Sequence, residues 1–142
     1  MAEVVYNVGK ARALAGLIAS GTSNLAAALV ITSKAGAADP DLATMAVIDA
    51  VGTVAFHSQR VTLTGVTVTT DNANDRVNID CADITFSAAP GVTALAMIVY
   101  DKTTDTNDGT RIPLSFHDTN FGAGQPLDGG LVVAVADLLR QG

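Results

Sequence analysis

The sequence predicts a mainly β protein: an antiparallel β-sandwich or jelly-roll-like barrel carrying one N-terminal helix. Three observations predict it. Val and Thr occur 16 times each, and β-branched side chains suit the pleated, half-buried surface of a strand. The acids are 13 Asp and one Glu; Asp serves turns and caps, whereas Glu serves helix interiors. Short apolar alternations recur between Asp- and Gly-rich breaks, the spacing of a sandwich or barrel. The chain has 142 residues, the length of a single domain over 1–142, with enough core to fold without a metal or disulfide.

The first segment reads as a helix. Asn7 is placed to cap it, and Ala11, Leu14, Ala15 and Ile18 recur on one face, with Lys10 and Arg12 off that stripe and Gly21 as the stop. Leu25 to Thr32 then reads as a buried strand centred on Leu29-Val30-Ile31. Ala35 to Asp41 is loop, with Asp39-Pro40 a turn signal. Leu42, Met45, Ala46 and Asp49 fit one or two helical turns, and Val51 to Phe56 fits a short strand. Residues 33 to 59 are expected to form an excursion lying over the sheet.

The second half is more regular. Val61 and Leu63 alternate with Thr62 and Thr64; after Gly65, Val66 and Val68 alternate with Thr67 and Thr69 in the opposite phase. A strand cannot change faces without an added residue, so a bulge or sharp bend is expected at Gly65. Val77, Ile79 and Cys81 share one parity, Ile84 and Phe86 the other, which puts a second kink near Ala82-Asp83. Asp71 to Asp75 is the turn between these runs. Val92 to Tyr100 is apolar throughout, as in a central strand buried on both faces. Ile112 to Phe116 contains Pro113, which cannot donate to a ladder, so it is expected at an edge. Phe121 to Gly130 is a Gly-rich loop, and Leu131 to Leu138 a last apolar strand. The sum is one helix and about seven strands.

No catalytic, cofactor-binding or metal-ligating residues are assigned, and the chain is expected not to be an enzyme. His57 and His117 have no companion motif, Ser58 points away from its neighbour His57 if both lie on a strand, and no Gly-x-Ser-x-Gly elbow is present. Cys81, the only cysteine, has Asp80 and Asp83 rather than a base beside it and reads as a small hydrophobe. One Cys and two separated His do not make a zinc set. Asp101, Asp105, Asn107 and Asp108 gather oxygens before Gly109, but the spacing departs from an EF-hand and no Glu closes it. That loop, like Asp71, Asn72, Asn74 and Asp75, reads as hairpin-turn chemistry. The Val8-Gly9-Lys10-Ala11 stretch lacks the upstream Gly of a phosphate loop. A sugar site stacks rings on exposed aromatics; most aromatics here stand in apolar runs, with Tyr6 and Phe121 the candidates for exposure.

The formal net charge is −6, with eight Lys and Arg scattered along the chain. Nucleic acid and an anionic membrane surface both call for a basic face, so neither is an expected partner. Glu3 stands where a signal peptide would carry basic residues. Leu25 to Ile31 is too short to span a bilayer. Hydrophobic residues make up 49% and charged residues 15%, a surplus of apolar surface that contacts between subunits would absorb.

The order of these segments resembles small tailed-bacteriophage virion proteins. The residues that carry the resemblance run from Tyr6-Asn7-Val8-Gly9-Lys10 and the helix to Leu17-Ile18, through Leu29-Val30-Ile31 and the Ala/Asp/Thr-rich excursion. They continue with Arg60 to Val68, the turn through Asp71 and Asp75, Arg76 to Asp80, Asp83 to Phe86, Ala94 to Asp101, Ile112-Pro113-Leu114 and the Gly-rich stretch. The match covers nearly the whole chain and rests on order and pattern rather than a signature motif. One departure is His57-Ser58-Gln59, where such proteins often carry an aromatic. The resemblance implies a capsid decoration (cement) protein on the capsid exterior, assembled in the host cytoplasm. Its implied partners are itself, as a homo-oligomer such as a trimer, and the major capsid protein, whose subunits it would bridge. The alternatives are a neck, tail or fibre subunit and, from another class, a carbohydrate- or receptor-binding module. Val4, Val5 and Tyr6 are the expected anchoring arm, or else a strand of their own domain.

Overall fold

A computed structural model describes residues 4–16, 18–21, 24–32, 36–49, 56–102, 111–119, 121–134 and 139–141. In chain order the elements are β1 (Val4–Val5), α1 (Asn7–Leu14), β2 (Leu25–Val30), α2 (Met45–Asp49), β3 (Phe56–Thr62), β4 (Thr67–Asp71) and β5 (Arg76–Asp80). There follow β6 (Ile84–Phe86), β7 (Thr93–Ala94), β8 (Ala96–Asp101), β9 (Ile112–His117), β10 (Gln125–Pro126), β11 (Leu131–Val133) and β12 (Leu139–Gln141). The protein is mainly β and its sheets are antiparallel, with a helix near the N-terminus. A five-stranded sheet has the order β1-β9-β8-β2-β3; smaller sheets are β12-β5-β4, β11-β6 and β10-β7.

The inner strands of the five-stranded sheet, β2, β8 and most of β9, are buried on both faces. On one, Leu25, Ala27, Leu29, Met97 and Val99 meet Leu63, Val66, Ile79, Ile84, Phe86 and Val133 from the smaller sheets and their corners. On the other, Ala26, Ala28, Val30, Ile98, Tyr100 and Phe116 meet Tyr6, Ala37, Met45 and Ile48. Alternate side chains of one strand point to opposite faces, so the all-apolar runs of β2 and β8 serve two cores. The second core shows that residues 36–49 of the excursion lie over the sheet, where α2 supplies the helical turns, whereas 56–59 belong to β3 within the sheet. Its backbone is tied down where Asn7 N–H donates to Pro40 O (2.8 Å) and Met45 N–H to Arg111 O (3.0 Å). Val51 to Ala55, read as strand, lies outside the described residues.

Both phase changes are present, and they meet. Gly65 takes the left-handed conformation (φ 62°) as the chain leaves the five-stranded sheet for β4, which lets Leu63 and Val66 both point inward at 2% exposure. At the second corner the chain passes from β5 to β6. Ala82 N–H donates to Thr64 O (2.9 Å), and the Ala82 methyl lies where a Cβ on Gly65 would be 3.4 Å away. The turn between Asp71 and Arg76 closes the β4–β5 hairpin as expected. The Ile18–Gly21 segment caps the outer edge of β4: Gly21 N–H donates to Val66 O (2.8 Å), and Ser20 Oγ accepts from Val68 N–H (2.8 Å). Covered edges resist pairing with other chains.

Several expectations are corrected. The helix is shorter: Tyr6 is its N-cap, Asn7 its first residue, and it stops at Leu14, with Gly16 at φ 70°. Its docked side is also different. A Cβ on Gly9 would sit 2.7 Å from Leu114 Cα and O, so α1 approaches β9 backbone to backbone through Gly9. That rotation leaves Ala11 exposed and Leu14 76% exposed. Leu17 lies outside the described residues. Val4, Val5 and Tyr6 are not a free arm: Val4 and Val5 pair with Phe116 and Ser115, and Tyr6 is fully buried.

The run Val92 to Tyr100 is divided at Leu95. Thr93 and Ala94 pair with β10, β8 enters the large sheet, and Leu95 N–H donates to Val30 O (2.7 Å) between them. Pro113 does not lie in an edge strand, since β9 is flanked by β8 and β1. The register with β8 slips over Leu114, between Ser115 and Pro113, and Pro113 lies beyond the two positions that β1 covers, so its missing N–H adjoins an interruption of the ladder. Of the last apolar run, Leu131–Val133 forms β11 and 135–138 lie outside the described residues; β12 (Leu139–Gln141) follows the run.

Candidate functional site

The structure assembles one buried polar group that sequence reading missed. β9 runs Ser115-Phe116-His117, and residues two apart on a strand share a face. Ser115 Oγ and His117 Nε2 are 2.8 Å apart, the spacing of a nucleophile and its base. The signal for it in the sequence is the Ser-x-His spacing on a strand. Asp118 follows, and Ser115, His117 and Asp118 are 1%, 4% and 3% exposed. At 1% exposure the Ser115 hydroxyl meets protein rather than solvent. The contact gives Ser115 Oγ and His117 Nε2 a hydrogen-bond partner within the fold.

His57 is elsewhere. It lies on β3, separated from β9 by β2 and β8, so the two histidines do not share a site. Its Nδ1 accepts from Gln59 N–H (3.2 Å), and Ser58 is exposed. Cys81 is half-buried; its thiol donates to Ala82 O (3.1 Å). Burial first, then the charges of Asp80 and Asp83, push that thiol up to about 11, away from the thiolate chemistry of a reactive cysteine.

Four of the cations scattered in sequence gather in space. Arg12, Arg60, Lys102 and Arg111 all reach the C-terminal end of β8. Arg12 Nε lies 2.6 Å from Asp101 Oδ2, and Lys102 Nζ donates to Thr62 Oγ1 (2.8 Å). The guanidinium carbons of Arg60 and Arg111 stand 5.6 and 5.3 Å from the centre of the Tyr100 ring, and Arg60 also lies 5.1 Å from that of Phe56. The buried ring thus takes two cation–π contacts, and the cluster fastens β3, β8 and the start of β9 around the second core.

In the Asp71 turn, the carboxylate accepts from Asn74 Nδ2 (2.8 Å) and Arg76 Nε (2.9 Å). The Asn74 hydrogen bond, then the Arg76 hydrogen bond and charge, hold Asp71 below the usual carboxylate range. Its oxygens bind its own hairpin. Among the described residues, no three His, Cys, Asp or Glu are grouped to hold a metal; Asp105, Asn107, Asp108 and Gly109 lie outside them. No described helix is long and apolar enough to cross a membrane.

Clefts among the described residues include two at the surface. One, of about 230 Å³, is lined by Phe121 and Leu131 to Ala134. The other, of about 240 Å³, lies between Val61–Thr64 and Ala82–Thr85. Tyr6 and Phe121, the aromatics expected to be exposed, are 0% and 1% exposed. Among the described residues, much of the apolar content is packed into the two cores. Among the described residues the exposed large apolar side chains are Leu14 (76%), Val77 (36%) and Val132 (60%). Neither a family model, nor a curated protein, nor a solved structure matches the chain.

Proposed function

We propose that the protein is a structural subunit of a tailed-phage virion, decorating the outer capsid surface and bridging capsid subunits as a homo-oligomer. The observation that carries this reading is the double-sided burial of β2 and β8. A sheet covered on both faces holds its shape without a ligand and meets partners through its exterior. The sequence order that resembles virion proteins supports the capsid location.

The mechanism is mechanical. Each subunit adds contact area that exists only in the assembled shell, and ligands that bind one state stabilise that state by mass action. Identical subunits ordinarily close by symmetry. Leu14 and Val132, held out in solvent on separate elements, are the apolar side chains this reading assigns to contacts. The carbohydrate reading needs open rings. Of the six aromatics, five are buried and Phe56 is half-buried beneath Arg60.

The test is localisation on purified particles with a label specific for this chain. Signal over the whole head lattice is the expected result. A single focus at the neck or tail would reassign the subunit, and particles devoid of signal would remove the virion reading. Light scattering of the purified protein tests self-association separately: a strict monomer at high concentration contradicts the homo-oligomer.

A further inference from the structure

The cleft between β3 and β6 separates two strands that are tied at both ends. At one end Ala82 N–H donates to Thr64 O (2.9 Å). At the other, the carboxamide of Gln59 meets both backbone groups of one residue: Nε2 donates to Ser87 O (3.0 Å) and Oε1 accepts from Ser87 N–H (2.9 Å). One side-chain amide therefore does what the peptide unit of a neighbouring strand would do. Between these ties the strands are parted by the cleft of about 240 Å³.

We infer that the β6–β11 ribbon is a hinged flap on the five-stranded sheet, latched by Gln59 and turning at the Gly65–Ala82 corner. The ribbon is a sheet of only two strands, and two strands alone are marginal in water. What seats it is Ile84, Phe86 and Val133, which reach the first core at 1–3% exposure. Opening is thus a cooperative event in which these three leave together, uncovering Leu63 and its neighbours. It is not a surface fluctuation. Gly65, at φ 62°, and the single Thr64–Ala82 bond give the pivot. The large sheet needs no part of the ribbon for its own ladders, so the flap moves while β2, β8 and β9 stay paired.

Hydrogen exchange at low denaturant on the intact protein tests this. The backbone amides of 84–87 and 131–133 are expected to exchange through their own opening, at lower denaturant than those of β2 and β8. Gln59→Ala should speed exchange at Ser87 and along the ribbon by about tenfold while leaving β8 unchanged. Gln59→Glu keeps an acceptor for Ser87 N–H but sets an oxygen against Ser87 O, so it should speed exchange similarly. If ribbon and β8 amides share one opening in the wild type, or if either variant changes them equally or not at all, the flap is refuted.

Discussion

Arg12 Nε lies 2.6 Å from Asp101 Oδ2 and fastens the N-terminal helix to the end of the central strand. The partners are unequal: Asp101 is 2% exposed, Arg12 23%. The carboxylate is desolvated on folding, whereas the guanidinium keeps part of its hydration. Removing the cation takes a charged hydrogen-bond partner from a buried carboxylate, which costs more than breaking a surface pair. Arg12→Met keeps the stem and loses the charge, and should destabilise the protein by about 3 kcal/mol. The measurement is a lowered urea midpoint at unchanged slope. Asp101→Asn should cost less, because no buried ion is left behind. A loss under about 1 kcal/mol in Arg12→Met would place the pair among surface bridges.

Tyr6 joins the two ends of the second core, its hydroxyl donating to Ala37 O. Burial first, and then the charge of Asp39, push the phenol well above its ordinary value of 10.0. Tyr6→Phe leaves the ring in place and the Ala37 carbonyl without its donor, and should cost about 1–3 kcal/mol. The sign with pH follows from linkage. A folded pKa raised above the unfolded one gives stability that is complete below pH 10.0 and is lost as pH rises beyond it. Unfolding midpoints taken above pH 10.0 should therefore fall more steeply in the wild type than in Tyr6→Phe.

Gly9 decides how closely α1 approaches the sheet. Alanine is the better helix former by about 1 kcal/mol, so helix propensity alone predicts stabilisation by Gly9→Ala. The added methyl would lie 2.7 Å from Leu114 Cα and O, and backbone does not yield as a side-chain tip does. Overpacking should win, with a net loss of about 1–3 kcal/mol in urea unfolding. A stabilised variant would mean that helix and strand are not seated this closely.

The same contrast explains what was legible in the sequence. Gly65 and Ala82-Asp83 were readable as corners because side-chain parity is local: the phase flips within a few residues, and only a bend reconciles it. The double burial of β8 was readable because both parities are apolar. The face that α1 docks was not, because Leu114, far along the chain, selects Gly9 over the Leu14 stripe. Nor was the division at Leu95, which is set by which partners, Val30 and β10, happen to lie on either side. The Ser115–His117 pair was available to the strand period. The gathering of Arg60 and Arg111 on Tyr100 was not, since sequence spacing carries no trace of it.

Cys81 offers a chemical check on the corner beside β6. Its pKa is pushed from 9.0 up to about 11, chiefly by burial and then by Asp80 and Asp83. The thiolate is the nucleophile, so at pH 8 alkylation by iodoacetamide should run about a hundredfold slower than for an unperturbed thiol. Asp80→Asn with Asp83→Asn should recover only part of that factor, because burial is the larger cause. Denaturant should recover all of it. Because the folded pKa is raised, the thiol's contribution to stability is complete below pH 9.0 and fades as pH climbs to about 11. Labelling of the folded protein at the rate of a free cysteine would show that the thiol is neither shielded by the corner nor opposed by the two carboxylates.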